Sequence, residues 1–394
     1  MTETPAPSLP AAAAQRLSRW LTHLGVSPAA FDDTVGWLTP LWRVHHLQAR
    51  IVDKRAETPT AVTLVLQVGG AFPLPRAGQH LVVGVTLQGV RHRRAYSPRV
   101  LPQRPGCIAI TVQRQRGGRV STHLHDAARV GDVLDVEAPA GDFVLPQPVP
   151  PAVLLIAGGS GITPFMAMLG ELRRRAPATQ VTLLYFARSE RDRILARELT
   201  ELSQRWTSFT YLPLEGSAPP PDTPPPPRTE AAVTAPRPHI APRRLTTALL
   251  QERAPHWART LAFCCGPATL MAAARGIWAE AGIARQLRLE AFTAPEPSGR
   301  PDTRHHVTLR RPSQPVGTQD FHAPAHLTLL AAGEQAGLQL PHGCRQGICH
   351  QCSCRLQRGS VQDLLSGQRV DGQGQAIRLC VSAALSDLAL ESLN

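Results

Sequence analysis

Apolar and polar positions change rhythm twice along this chain. Between residues 48 and 146, short β-rich runs at 61–68, 80–87, 107–113 and 133–138 are separated by Gly, Pro and Asp. That strand-and-turn spacing predicts an antiparallel β-barrel. At Pro150 the texture changes. Residues 152–157 form an unbroken apolar run, read as a buried strand. The stretch 163–175 is read as a helix, because Ile162, Phe165, Met166, Leu169 and Leu172 fall on one face. Arg173, Arg174 and Arg175 sit at its C-terminal end, where the helix dipole favours cations. A strand at 180–186, a helix at 192–204 and further elements at 246–251, 260–264 and 267–281 continue the alternation. Such alternation predicts a doubly wound parallel sheet. Residues 304–394 return to a β-rich texture.

The segments between these blocks read differently. Residues 1–46 are an extension rich in Pro and Ala at its start, with an amphipathic stretch near 15–24. Residues 217–242 are too proline-rich for a helix or a central strand and read as a surface insertion. Residues 294–303 read as a linker. No apolar run approaches the roughly 20 residues needed to span a bilayer, and the N-terminus shows no secretory pattern. The expectation is a cytoplasmic protein.

Composition changes the picture in two places. The chain of 394 residues carries 42 Lys+Arg against 29 Asp+Glu, a formal charge of +13, and Lys54 is its sole lysine. A field of that sign attracts anionic cofactors, acidic proteins and membrane surfaces. No nucleic-acid motif is present and aromatics are only 5%, so nucleic acid is not an expected partner. Of the eight cysteines, Cys344, Cys349, Cys352 and Cys354 crowd together. Clustering in a chain without secretory signals favours metal over disulfides.

Cys344, Cys349 and Cys352 have the spacing C-x4-C-x2-C, with Cys380 further on. This is the plant-type arrangement for a [2Fe–2S] cluster, in which one tight loop gives three thiolates and a distant residue the fourth. A zinc site usually shows two short pairs, whereas here one cysteine is isolated. Cys354 is left out of the ligand set because it more simply starts the following strand.

Two further motifs suit phosphate. The run 152–157 leads into Gly158-Gly159-Ser160-Gly161-Ile162-Thr163-Pro164, a strand–turn–helix that brings backbone N–H groups onto a phosphate. Thr163 suits the N-cap of the helix and Pro164 its first position. In the barrel, Arg94-Ala95-Tyr96-Ser97 and Gly118-Arg119-Val120-Ser121 stand out. Arginine can neutralise a pyrophosphate, tyrosine can lie against a flavin ring, and serine can hydrogen-bond it.

In this order the motifs resemble the ferredoxin–NADP reductase superfamily, in the branch with a C-terminal plant-type ferredoxin domain, over residues 47–394. The resemblance implies an FAD-binding β-barrel at 47–147, an NAD(P)-binding α/β domain at 148–293 and a β-grasp [2Fe–2S] ferredoxin domain at 304–394. It assigns Arg94, Tyr96, Ser97, Gly118, Val120 and Ser121 to FAD. Gly158, Gly159, Gly161, Thr163 and Pro164, with Cys265-Gly266-Pro267, go to the nicotinamide nucleotide. Cys344, Cys349, Cys352 and Cys380 hold the metal. Ser97 and Cys265 would act at the reacting atoms, and Phe292 in Glu290-Ala291-Phe292 would lie near the flavin. After the strand at 180–186, Arg188 and Ser189 suit a ribose 2′-phosphate, with no acid at the strand end for a 2′-OH. NADPH is therefore expected ahead of NADH.

The implied activity is electron transfer from NADPH through FAD and the cluster to a separate oxygen-activating partner. His322 and His326 have di-iron-like spacing but flank a proline in the ferredoxin module, so no oxygen-activating centre is expected within the chain. Leu38-Thr39-Pro40-Leu41-Trp42 and Leu340-Pro341-His342-Gly343-Cys344 resemble the reductases of membrane di-iron fatty-acid desaturases. The first expectation is such a desaturase or a related membrane hydroxylase as acceptor, with contact at the inner face of the membrane. The alternative is a reductase for a ring-hydroxylating oxygenase or a cytochrome monooxygenase.

Overall fold

The computed structural model describes residues 20, 47–215, 244–292, 297, 302–311, 317–347 and 350–393. The amphipathic stretch of the extension (Trp20 apart), the Leu38–Trp42 motif, the proline-rich insertion, most of the linker and Cys349 lie outside the described residues. No described helix is long and apolar enough to cross a membrane.

Seven strands make the first sheet: β1 (Gln48–Thr58), β2 (Ala61–Val68), β3 (Leu81–Leu87), β4 (Val90–Tyr96), β5 (Pro98–Val100), β6 (Cys107–Gln113) and β7 (Val133–Val136). Their order is β4-β3-β7-β1-β2-β6-β5, with antiparallel pairing. The sheet curls into a half-barrel around Ile51, Leu64, Leu66, Leu81, Ile108 and Ile110. Register shifts in β1 between Ile51 and Asp53 and between Ala56 and Thr58 let the long strand bend. The edge strands β4 and β5 are consecutive in the chain, joined through Ser97. One segment therefore passes from one edge of the curled sheet to the other. β4 was absent from the apolar pattern because it is a half-exposed edge strand, VRHRRAY. The Lys54 ammonium donates to the carbonyls of His125 and Ala128 at 2.8 and 2.7 Å, the open end of the helical turns that follow Gly118.

The second sheet is parallel: β8 (Ala152–Gly158), β9 (Gln180–Ala187), β10 (Phe209–Glu215), β11 (Leu261–Cys265) and β12 (Leu287–Glu290), in the order β10-β9-β8-β11-β12. Helices α1 (Thr163–Arg175) and α2 (Ala196–Arg205) supply Phe165, Leu169, Leu172 and Leu199 to one apolar layer. Helices α3 (Thr247–Arg253) and α4 (Ala268–Glu280) supply Leu249, Leu250, Met271 and Trp278 to the other. This is the doubly wound sheet that the alternation predicts. Two details differ. α2 starts at Ala196 rather than 192, because a tight turn at Glu190–Asp192 and a left-handed Leu195 (φ 59°) precede it. Thr163 is the first residue of α1 rather than its cap, since a turn at Gly159–Ile162 leads into the helix.

The third unit has β13 (Arg304–Arg310), β14 (Thr318–Pro324), α5 (Leu329–Gln335), β15 (Ser353–Arg358), β16 (Ser360–Asp363), β17 (Arg369–Asp371), β18 (Gln375–Arg378), β19 (Ser382–Ala384) and β20 (Leu388–Ser392). The main sheet runs β14-β13-β20-β15-β18 with β13 and β20 parallel at its centre, and a small sheet runs β17-β16-β19. α5, capped by the Thr328 hydroxyl accepting from the Ala331 N–H at 3.2 Å, packs Leu329 and Leu330 into the core. The result is a β-grasp unit.

Candidate active site

The two halves of the site come from places where each sheet leaves backbone open. In the parallel sheet, chain order reverses between β8 and β11, the switch point where such sheets bind ligands at their carboxyl ends. β8 ends at Gly158 and β11 at Cys265, followed by Gly266. A Cβ on Gly158 would lie 2.6 Å from Pro267 Cδ, and one on Gly161 would lie 2.1 Å from the Cys265 carbonyl oxygen. The two turns touch backbone to backbone, which only glycine permits. In the barrel, the strand-to-strand passage at Ser97 and the turn at Gly118 face that crevice. The Ser121 hydroxyl donates to the Gly118 carbonyl at 3.3 Å and accepts from the Gln115 N–H at 3.1 Å, which holds this turn closed.

One cavity of about 1450 Å³ spans the two. Among the residues proposed from sequence, Arg94, Tyr96, Ser97, Gly118, Val120, Ser121, Gly158, Gly159, Thr163, Arg188, Gly266, Pro267 and Phe292 line it. Gly161, Pro164, Ser189 and Cys265 do not. Gly161 and Pro164 are buried behind the wall, and the Ser189 hydroxyl donates to Asp192 Oδ2 at 2.6 Å. Asp192 itself lines the cavity, so an acid does reach it after β9, from the turn rather than the strand end. Arg114, Arg116 and Arg244 add to Arg94 and Arg188 on the wall. This gives a cationic lining suited to phosphates. Sequence reasoning missed these three because their motif-free neighbours carry no signal. The flank of the insertion does border the site, through Arg244, Leu245 and Thr246.

Inside the wall three groups matter chemically. The Ser97 Oγ is buried without a hydrogen-bond partner in the described residues, as fits a hydroxyl kept for a bound ring. Cys265 is fully buried. Burial, with Glu290 and Cys264 beside it, holds its thiol well above the ordinary value, so it is a neutral thiol. Glu290, its register partner on β12, is 7% exposed, and its Oε2 has no partner. Burial pushes this carboxyl up to about 8. Glu290 was quoted within a motif but given no role from sequence. Its place beside Cys265 arises from β11–β12 pairing between residues distant in the chain.

In the third unit Cys344, Cys352 and Cys380 are all buried. Cys380 hydrogen-bonds Cys352, and that bond, burial and the nearness of Cys344 push its thiol far up. A group of thiols crowded in an apolar setting suits ligation, where a metal's charge replaces the protons. Among the described residues no three ligating side chains already stand as a closed metal-binding set; the fourth predicted ligand, Cys349, lies outside them. Cys354 lies within β15, paired with Ile377 and Ser392, as the strand reading expects. Gln346 lines the cavity beside the barrel residues, so the cysteine loop reaches the same space.

Comparisons with known proteins agree with this division. Residues 52–145 match the oxidoreductase FAD-binding domain family, 155–276 the oxidoreductase NAD-binding domain family and 314–385 the 2Fe-2S iron-sulfur cluster binding domain family. An NADPH oxidoreductase of Mycobacterium tuberculosis H37Rv is 33% identical over 371 residues, 93% of this chain and 89% of that one. The ferredoxin reductase component of 3-ketosteroid-9-alpha-monooxygenase from the same strain is 30% identical, over 83% of this chain and 90% of that protein. Among solved structures, phthalate dioxygenase reductase superposes with a TM-score of 0.56 at 25% identity, over 88% of this chain and 98% of that one. The three domains define an NAD(P)H-dependent flavin and iron–sulfur oxidoreductase. The chain belongs to the ferredoxin–NADP reductase superfamily, in the branch that carries its own [2Fe–2S] domain.

Proposed function

We propose that the protein takes electrons from NADPH and delivers them, through FAD and a [2Fe–2S] cluster, to a separate oxygen-activating metalloenzyme. The observation that carries this is the single cavity lined by the barrel, the parallel sheet and the cysteine loop. When bound, the flavin supplies hydride acceptance and the cluster one-electron delivery; the chain supplies binding, orientation and electrostatics. Arg94, Tyr96 and Ser97, with the turn Gly118–Val120–Ser121, hold the flavin and its diphosphate. The crevice at Gly158, Gly159 and Gly266, behind which Gly161 sets the close approach, seats the nicotinamide half. Arg188 and Arg244, both on the cavity wall, would take the 2′-phosphate. Glu290 keeps its proton at neutral pH next to the Cys265 thiol, so this pair adds no fixed charge behind the nicotinamide crevice. Cys344, Cys349, Cys352 and Cys380 hold the cluster.

For the acceptor, the reading is a membrane di-iron fatty-acyl desaturase or hydroxylase, met at the cytoplasmic face of the membrane. It is supported by the Leu38–Trp42 and Leu340–Cys344 resemblances. A second reading, reductase for a soluble oxygenase or a cytochrome monooxygenase, is favoured by relatives that are monooxygenase reductase components. The test of the common core is an anaerobic visible spectrum before and after NADPH. Flavin and iron–sulfur bands that both bleach support it. A protein whose bands ignore both NADPH and NADH overturns it. Reconstitution with a desaturase or with a ring-hydroxylating oxygenase then separates the two acceptors.

A further inference from the structure

The iron–sulfur domain is attached differently from the other two. Ala61, Phe143 and Leu145 of the barrel segment pack into the core of the parallel sheet. The core of the third unit runs from Val307 to Leu390 and, among the described residues, takes none from elsewhere. Polar side chains cross the boundary instead. Arg93 on β4 donates to Gln351 Oε1 at 3.0 Å, Arg275 on α4 donates to the Leu365 carbonyl at 2.6 Å, and Gln346 Nε2 donates to the Phe292 carbonyl.

Gln346 differs from the other two because its groups face three parts of the machinery. Its backbone N–H donates to Cys344 Sγ at 3.3 Å, the kind of outer contact that orients a metal ligand. Its side-chain amide holds Phe292, a residue of the cavity wall. Its Oε1 is buried with no partner in the described residues, which leaves it for a donor on whatever fills the cavity. The same side chain thus touches the cysteine loop, the end of the nucleotide domain and the cavity.

We propose that Gln346 is the positioning residue that registers the cluster-binding loop on the flavin cavity. The proposal rests on the reading that electrons pass from flavin to cluster, and it deepens that reading by naming what sets the passage. One of the two electrons of a reduced flavin would convert one ferric iron of the cluster to ferrous, and the second would follow once the cluster had passed the first to the outside acceptor. Among the described residues these side-chain hydrogen bonds cross the boundary, and docking is sensitive to each. Losing one neutral hydrogen bond lowers the docking equilibrium constant roughly threefold to tenfold, and cluster reduction slows by up to that factor. Flavin reduction by NADPH is read beside it, because Phe292 and Gln346 both border the cavity.

The test uses the full-length protein loaded with FAD and cluster, in wild-type form and as Gln346→Leu and Gln346→Glu. Leucine keeps the bulk and removes the donor and acceptor; glutamate keeps the shape, removes the donor and adds a negative charge facing the Phe292 carbonyl. Anaerobic stopped-flow with NADPH follows flavin and cluster bands separately, and small-angle scattering reads docking without turnover. The expected result is cluster bleaching slowed relative to flavin bleaching by up to roughly threefold to tenfold, and a larger radius of gyration. The electron paramagnetic resonance signal of the chemically reduced cluster stays as in wild type. Slowing of both phases together, or cluster bleaching at the wild-type rate with unchanged scattering, overturns the proposal. Wild-type protein whose cluster never bleaches with either nucleotide refutes the underlying reading instead, and shows this before any variant is made.

Discussion

Glu290→Gln tests whether the buried carboxyl beside Cys265 is neutral in the native protein. The wild-type side chain is 7% exposed, and burial raises it from an ordinary 4.5 to about 8. At ~1.4 kcal/mol per pH unit, that gap corresponds to about 5 kcal/mol at most. The native state keeps the proton up to about pH 8, while the unfolded chain releases it near 4.5. Raising the pH through this window therefore favours the unfolded chain, and the stability present below 4.5 is lost progressively by 8. Glutamine keeps the shape and cannot ionise. The expected outcome is that the stability of the variant relative to wild type climbs by several kcal/mol, up to about 5, between pH 4.5 and 8. Urea unfolding followed by tryptophan fluorescence measures this, since Trp206, Trp257 and Trp278 are all buried in the cores flanking this sheet. Parallel pH curves for the two proteins would refute the reasoning, because they mean that Glu290 ionises as an exposed carboxylate does.

Four further substitutions probe other parts. Gly161→Ala places a methyl 2.1 Å from the Cys265 carbonyl oxygen; it should destabilise the domain by about 1–3 kcal/mol and raise KM for NADPH. Gly170→Ala in α1, with open space around its Cβ, should instead stabilise by about 0.5–1 kcal/mol; thermal melts that fail to separate the two contradict the backbone-contact argument. Arg188→Ala should lower the NADPH/NADH ratio of kcat/KM by roughly tenfold or more if a charged hydrogen bond to the 2′-phosphate is lost, and an unchanged ratio removes Arg188 from that role. Cys380→Ser should abolish the iron–sulfur absorption while the flavin spectrum persists, because the third unit has a core of its own; loss of both chromophores would mean the domains do not fold independently.

Where neighbours in sequence are also neighbours in space, the chain was readable. The glycine turn Gly158–Gly161, the Arg94–Ser97 passage and the cysteine spacing each occupy one local segment, and the fold leaves most of the phosphate motifs on one cavity wall. β4 was invisible to apolar periodicity because an edge strand has no buried face to enforce alternation. Glu290 and Cys265 meet through strand register, Arg244 arrives from beyond a long insertion, and Gln346 arrives from another domain. Such pairings depend on tertiary placement, which no local pattern encodes. Cys265 illustrates the reverse case: its motif was legible, but its side chain points into the apolar layer and not onto the wall.

The sole lysine of the chain holds two carbonyls at the end of the helical turns that follow Gly118. Amine chemistry directed at side chains therefore has one target, and that target is structural. Reductive methylation keeps the charge and leaves a donor, whereas acetylation neutralises the ammonium and releases the carbonyls. A ¹³C-dimethylated protein would then carry one internal methyl resonance, at Lys54, mounted on the back of the segment whose front, Val120 and Ser121, faces the cavity. Flavin loading becomes observable as movement of a single peak, in a protein too large for easy assignment by other means.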